Sequence, residues 1–196
     1  MSLIPACEIG VWNAWIFMIW LLIQNFGVRL VSKDLYRRAG QPPDMKPSQK
    51  YKILSFISMP LWLLATAYSI FLPFELGTIW FPIGLTIFLP GLIMNVFATI
   101  NFASTPMSEP VTRGAYRYSR HPIYVALLLI YLSVSIASAS WVFLLLTVLL
   151  AIEVSLSVAD EEHYCLGKYG NAYREYMNRT PRWIGVPTSS SISNAS

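Results

Sequence analysis

The chain has 196 residues, with 55% apolar residues, 12% charged residues and a formal net charge of +4. A soluble globular domain carries about 25% charged residues, so this composition excludes an ordinary water-soluble fold. The basic residues sit between apolar runs, where they face lipid headgroups rather than nucleic acid.

Five apolar runs approach the roughly 20 residues a membrane-spanning helix needs: residues 9–31, 53–74, 79–102, 123–138 and 141–158. No Lys or Arg precedes Arg29. A cleaved signal peptide needs a basic n-region, so the first run reads as a retained span. Pro60, Pro82 and Pro90 fall in the second and third runs; they either shape a cavity or are simply tolerated, as membrane helices tolerate proline. A single helix over residues 123–158 would be about 54 Å long, too long for one crossing. The serines at 133, 135, 138 and 140 instead predict a tight antiparallel hairpin.

Charge sets the orientation. All 14 basic residues fall in three segments: seven in residues 29–52, three in residues 103–120 and four after Val158. Five spans put all three segments on one side. By the positive-inside rule that side is the cytoplasm, with the N-terminus outside and the C-terminus inside. Three regions follow: residues 1–102 with the basic loop 32–52, a second half 103–184 around the hairpin 123–158, and a Ser-rich disordered tail 185–196. Two cysteines, Cys7 and Cys165, and two histidines, His121 and His163, offer neither a disulfide framework nor zinc spacing, so no metal site is expected.

Two polar segments flank the hairpin. Residues 113–124 read RGAYRYSRHPIY. Pro122 suits the first position of a helix, which puts His121 at its cap, where free N–H groups attract carboxylates. Arg113, Arg117 and Arg120 either join them or anchor headgroups. Residues 160–183 read DEEHYCLGKYGNAYREYMNRTPRW. There Tyr169, Tyr173 and Tyr176 share one helical face, although Gly170 weakens the helix, and an interfacial aromatic belt is the plain alternative. Glu153 lies inside the fifth run, where an ionised side chain costs about 2.5–3.5 kcal/mol unless a cavity or partner receives it. Four-residue steps put Glu153, Ser157 and Glu161 on one face. That stripe either lines a pocket or makes a helix–helix hydrogen bond, with Asn95 or Asn101 as partner.

Together, Gly114-Ala115-Tyr116, Arg120-His121-Pro122-Ile123-Tyr124, Glu161-Glu162, Tyr169-Gly170 with Tyr173 and Tyr176, and Pro181 resemble the isoprenylcysteine carboxyl methyltransferase family and its phospholipid methyltransferase relatives. The resemblance covers roughly residues 101–184 and suggests a small prokaryotic or archaeal member. It implies an all-α polytopic membrane bundle whose C-terminal cytoplasmic segment closes a cofactor pocket. It also implies S-adenosylmethionine as donor, S-adenosylhomocysteine as product, and a lipophilic acceptor entering from the bilayer. Carried over by position, the cofactor residues are Asn101, Ser108, Glu109, Pro110, Val111, Tyr116, His121, Pro122, Ile123, Tyr124 and Glu161, with Glu153 positioning the acceptor. Where eukaryotic isoprenylcysteine enzymes carry an arginine, one turn before the glutamate pair, this chain has Ser157, which forms no bidentate pair with a carboxylate. Either Arg174, Arg179 or Arg182 replaces it, or the acceptor is an amine or hydroxyl. The rival readings are a membrane reductase using NADPH and a non-catalytic scaffold or small transporter.

Overall fold

A computed structural model of the chain describes residues 8–31 and 49–188. Cys7, most of the basic loop 32–52 and the tail beyond Thr188 lie outside the described residues. Among the described residues six α-helices follow one another: α1 (Trp15–Val31), α2 (Gln49–Tyr68), α3 (Trp80–Ser104), α4 (Pro122–Ala137), α5 (Trp141–Tyr169) and α6 (Asn171–Arg179). Among the described residues there is no strand, only an isolated bridge between Asn13 and Pro73. The protein is therefore an all-α bundle. Three helical stretches are long and apolar enough to cross a membrane: Tyr51–Phe71, Trp80–Ser104 and Trp141–Tyr169. Two shorter apolar helices, Trp15–Gln24 and Pro122–Ala137, stand beside them. Outward-facing residues such as Phe56, Leu63, Ile93, Phe97, Leu145 and Ile152 are exposed, an apolar exterior that suits lipid rather than water.

The α3–α4 seam is the tightest. Gly84, Gly91, Asn95 and Ala98 are buried on one face of α3. A Cβ on Gly84 would lie 2.6 Å from the Ala137 Cβ and 2.7 Å from the Ser133 carbonyl oxygen. Missing side chains thus let two antiparallel backbones approach, which is how membrane helices gain dispersion energy without a hydrophobic driving force. Pro60 and Pro90 lie inside α2 and α3, whereas Pro82 falls in the first turn of α3, where its missing N–H costs nothing.

The hairpin is as tight as the serines predict. Ala139 turns the chain at φ 48°, and Ser140 caps α5 by accepting from the Phe143 N–H at 3.2 Å. The core beneath it stacks Tyr131, Phe143 and Tyr68, with Phe17, Leu72 and Val134 beside them. Asn13 secures the start of α1, donating to the Ile70 carbonyl at 2.7 Å.

At 29 residues, α5 is about 44 Å long, about 14 Å more than the hydrocarbon layer. The sequence ends its fifth span at Val158, but the helix continues through the glutamates to Tyr169. It stops at Gly170, φ 55°, where a residue without Cβ adopts the left-handed turn freely. Tyr169 therefore ends α5 while Tyr173 and Tyr176 belong to α6, so the three tyrosines do not share a single helical face. Residues 181–188 then run back as a strap over the loop before α4. The Arg120 N–H donates to the Pro181 carbonyl and the Gly185 N–H to the Tyr118 carbonyl, both at 3.0 Å. Residues 185–188, read from sequence as the start of a disordered tail, thus have defined partners.

Candidate functional site

His121 is the cap residue of α4 and Pro122 its first residue. The His121 N–H is taken by Ser119 Oγ at 3.1 Å, and the ring is buried. Its two nitrogens face two adjacent glutamates. Nε2 lies 3.1 Å from Glu162 Oε1, while Nδ1 is 3.9 Å from Glu161 Oε2.

Glu162 is a charge hub that sequence reasoning left without a role. Its carboxylate is 3% exposed and lies 3.0 Å from Arg120 Nε. It also accepts from Arg182 Nε at 3.1 Å and Nη2 at 2.5 Å. Three basic side chains converge on it, so it is ionised and only accepts, which makes His121 Nε2 a donor. Those hydrogen bonds in turn raise the Arg182 guanidinium above its ordinary pKa. The sequence signal was the second glutamate of the pair facing the Arg120-His121 string, but the partner in the strap lies twenty residues further on and is found only by folding.

Glu161 faces the other way. Its Oε1 accepts from the Tyr124 hydroxyl at 2.6 Å. About two turns deeper, Glu153 Oε1 accepts from Ser157 Oγ at 2.7 Å. Together with Tyr51, Ser58, Trp62 and Val154 these residues line a cavity of about 90 Å³ between α2, α4 and α5. The stripe Glu153, Ser157, Glu161 therefore lines a pocket. The alternative partners are engaged elsewhere: Asn95 Oδ1 accepts from Trp20 Nε1 at 3.0 Å, and Asn101 Nδ2 donates to the Phe97 carbonyl at 2.7 Å. The contribution of α2 was not legible in sequence, because its apolar run carries no motif. The volume is well below the roughly 300 Å³ of a drug-sized ligand pocket, so the cavity takes a small polar group or one end of a larger molecule.

None of the lining residues is basic. Arg182 is held by Glu162, and Arg174 and Arg179, both on α6, are not among the lining residues. Among the described residues, no basic side chain lines the cavity beside Ser157.

Three of the other sequence candidates meet in one cluster. Val111 and Tyr116 are buried in an aromatic cluster with Ala98, Tyr173 and Tyr176, and Ile123 packs against it. The Tyr176 hydroxyl donates to the Tyr116 carbonyl at 2.7 Å. Burial raises the hydroxyls of Tyr173 and Tyr176 above their ordinary range, so both stay neutral. Asn101 presses on Gly114, where a Cβ would meet its amide nitrogen at 2.2 Å and the backbone has φ 60°. Ser108 and Glu109 are exposed and Pro110 is half-buried. None of Asn101, Ser108, Glu109, Pro110, Val111 or Tyr116 lines the cavity.

Residues 75–172, half of the chain, match a family described as phospholipid methyltransferase. The match starts before α3 and ends just inside α6, so it holds every candidate residue but neither α2 nor the strap. Comparison with curated proteins and with solved structures gives no match.

Proposed function

The chain belongs to the phospholipid methyltransferase family, within the integral membrane methyltransferases that include the isoprenylcysteine type, and from that premise we propose that it N-methylates an amine-bearing lipid with S-adenosylmethionine as donor. It is a membrane methyltransferase; the donor, the acceptor and the residues' roles are our reading. The observation that carries it is the cavity, which has two carboxylates, four hydroxyl-bearing side chains and, among the described residues, no cation. An ionised acid repels a carboxylate acceptor by up to several kcal/mol at short range where the medium is less polar than water, and it attracts an ammonium. An isoprenylcysteine acceptor would bring such a carboxylate.

S-adenosylmethionine supplies an electrophilic methyl carbon on a sulfonium. The residues present suit one end of it: Glu161 accepts from hydroxyl or ammonium groups, and the Tyr124 and Trp62 rings attract a cation. An ammonium acceptor must shed a proton before its lone pair can attack, and Glu153 is the group placed to receive that proton. Ser157 holds the Glu153 carboxylate in one orientation. Tyr51, Val154 and Ser157 form the buried part of the wall, and with a bound acceptor displacing water, catalysis is mostly orientation and desolvation. The implied cofactor contacts of Asn101, Ser108, Glu109, Pro110, Val111 and Tyr116 extend this reading beyond the cavity. The lipid tail reaches the cavity from the bilayer between α2 and the hairpin. In the five-span arrangement, all the basic segments and the site face the cytoplasm.

Titration calorimetry with S-adenosylhomocysteine and with NADPH, on detergent-purified protein, tests the donor. His121→Ala and Glu161→Ala should each weaken S-adenosylhomocysteine binding about 10–150-fold, the cost of a hydrogen bond to a charged group. Unchanged affinity in folded variants, or a preference for NADPH, would refute it. Radiolabelled methyl transfer tests the acceptor: amine lipids should turn over and lose most turnover in Glu153→Gln. Strong turnover of a farnesylated cysteine, undiminished by that change, would overturn the amine reading.

A further inference from the structure

A second cavity, of about 340 Å³, lies where the loop before α4, the end of α6 and the strap meet. Its walls are Thr112, Arg117, Tyr176, Arg179, Thr180, Pro187 and Thr188, and it shares no residue with the cavity at Glu153 and Glu161. Its volume lies within the range of small-molecule pockets, about 300–1,000 Å³.

The wall contains two cations and no acid. Arg117 ends the short turn Gly114–Arg117, and Arg179 ends α6. Among the described residues neither forms an ion pair with a carboxylate. Each is exposed, so each guanidinium keeps donors to offer.

The end of a helix normally presents bare carbonyls, which would repel an anion. Here the last carbonyls of α6 are occupied. That of Glu175 accepts from Arg179 Nε, and that of Met177 from Arg120 Nη1, both at 3.3 Å. The Tyr176 carbonyl accepts from the Thr180 N–H at 2.9 Å. The Asn178 carbonyl accepts from Thr188 Oγ1 at 3.3 Å and the Arg179 carbonyl from the Thr188 N–H at 2.9 Å. Arg120, Arg179, Thr180 and Thr188 thus occupy the last carbonyls of α6, and the polar lining of the cavity is two guanidinium groups with hydroxyls.

We infer that this cavity is a binding site for a phosphate group, held between Arg117 and Arg179. Two planar guanidinium forks suit the tetrahedral oxygens of phosphate. The wall residues belong to the loop before α4, the end of α6 and the strap, outside the long apolar helices, and basic residues that flank such helices suit lipid phosphates. A phospholipid headgroup and a free phosphate share this chemistry, and the test separates them.

Native mass spectrometry of the full chain in uncharged detergent would compare three probes: phosphatidylglycerol, diacylglycerol with the same acyl chains, and inorganic phosphate. The wild type should bind phosphatidylglycerol and not diacylglycerol. The doubly substituted protein, Arg117→Gln with Arg179→Gln, should lose at least tenfold in that affinity while its thermal unfolding midpoint is kept. Displacement of the lipid by millimolar phosphate would identify free phosphate as a ligand, and retention of the lipid would identify the headgroup. Equal binding of both lipids, wild-type affinity in the double variant, or no binding of either phosphate probe would overturn the inference.

Discussion

Glu162→Gln removes one charge and almost no volume, so it isolates what the carboxylate does. In the wild type it meets Arg120 at 3.0 Å, His121 at 3.1 Å and both donors of the Arg182 fork. Removing one partner of a buried ion pair costs about 3–5 kcal/mol, because the other charge stays behind. Arg120 is only 10% exposed, but Arg182 is 39% exposed and keeps part of its hydration. The lower end, about 3 kcal/mol, is therefore expected, and it falls on the strap that Arg182 carries. A strap opened by that much is populated about a hundredfold more often. Proteolysis tracks the open population when reclosing is fast. Trypsin should then cut after Arg179 and Arg182 about a hundredfold faster in the variant. Glu161→Gln is the control, since Glu161 touches Tyr124 and the far nitrogen of His121 but not the strap. Cleavage of Glu162→Gln within threefold of wild type would show that the strap is held by its backbone hydrogen bonds instead.

Gly84→Ala should lower the thermal unfolding midpoint by an overpacking cost of about 1–3 kcal/mol, since its Cβ would lie 2.6 Å from Ala137; an unchanged midpoint would show that the seam gives way. Gly167→Ala in α5, where an added Cβ meets nothing within 4 Å, should raise stability by about 0.5–1 kcal/mol, and a fall would refute the open space around it. A C-terminal fluorescent-protein fusion should glow and a C-terminal alkaline phosphatase fusion stay inactive, as a cytoplasmic C-terminus requires; active phosphatase would overturn the orientation.

Local signals in the sequence carried far. Apolar length located the helices, Pro122 marked the start of α4, and four-residue spacing put Glu153, Ser157 and Glu161 on one face of α5. Helix periodicity is a property of neighbouring residues, so it is readable without a fold. What stayed hidden is long-range. Tyr51, Ser58 and Trp62 sit in an ordinary apolar helix and become cavity wall only when α2 packs on α5. Arg182 becomes the partner of Glu162 only because Gly170 turns the chain back. The end of α5 was not marked for a related reason: hydropathy falls at Asp160, but a helix continues wherever its backbone is satisfied, in water as in lipid.

Two adjacent residues on an α-helix point about 100° apart. That angle lets α5 send Glu161 to the cavity and Glu162 to the strap, with the His121 ring between them. Nε2 of the ring is fixed by Glu162 at 3.1 Å, and the same fixation sets where Nδ1 stands beside Glu161. The strap therefore reaches the cavity through one imidazole, and a double-mutant cycle can show it. On the proposed donor reading, Glu162→Gln weakens S-adenosylhomocysteine binding because the ring exchanges a charged acceptor for a weaker amide oxygen. In a His121→Ala background there is no ring to lose, and Glu162→Gln should then change affinity by less than about twofold. If the two losses simply add, the strap acts on the ligand directly and the imidazole is not the link. Cleavage by trypsin separates the readings further, because Glu162→Gln should still free the strap in the His121→Ala protein, where Arg120 and Arg182 remain without their counter-charge.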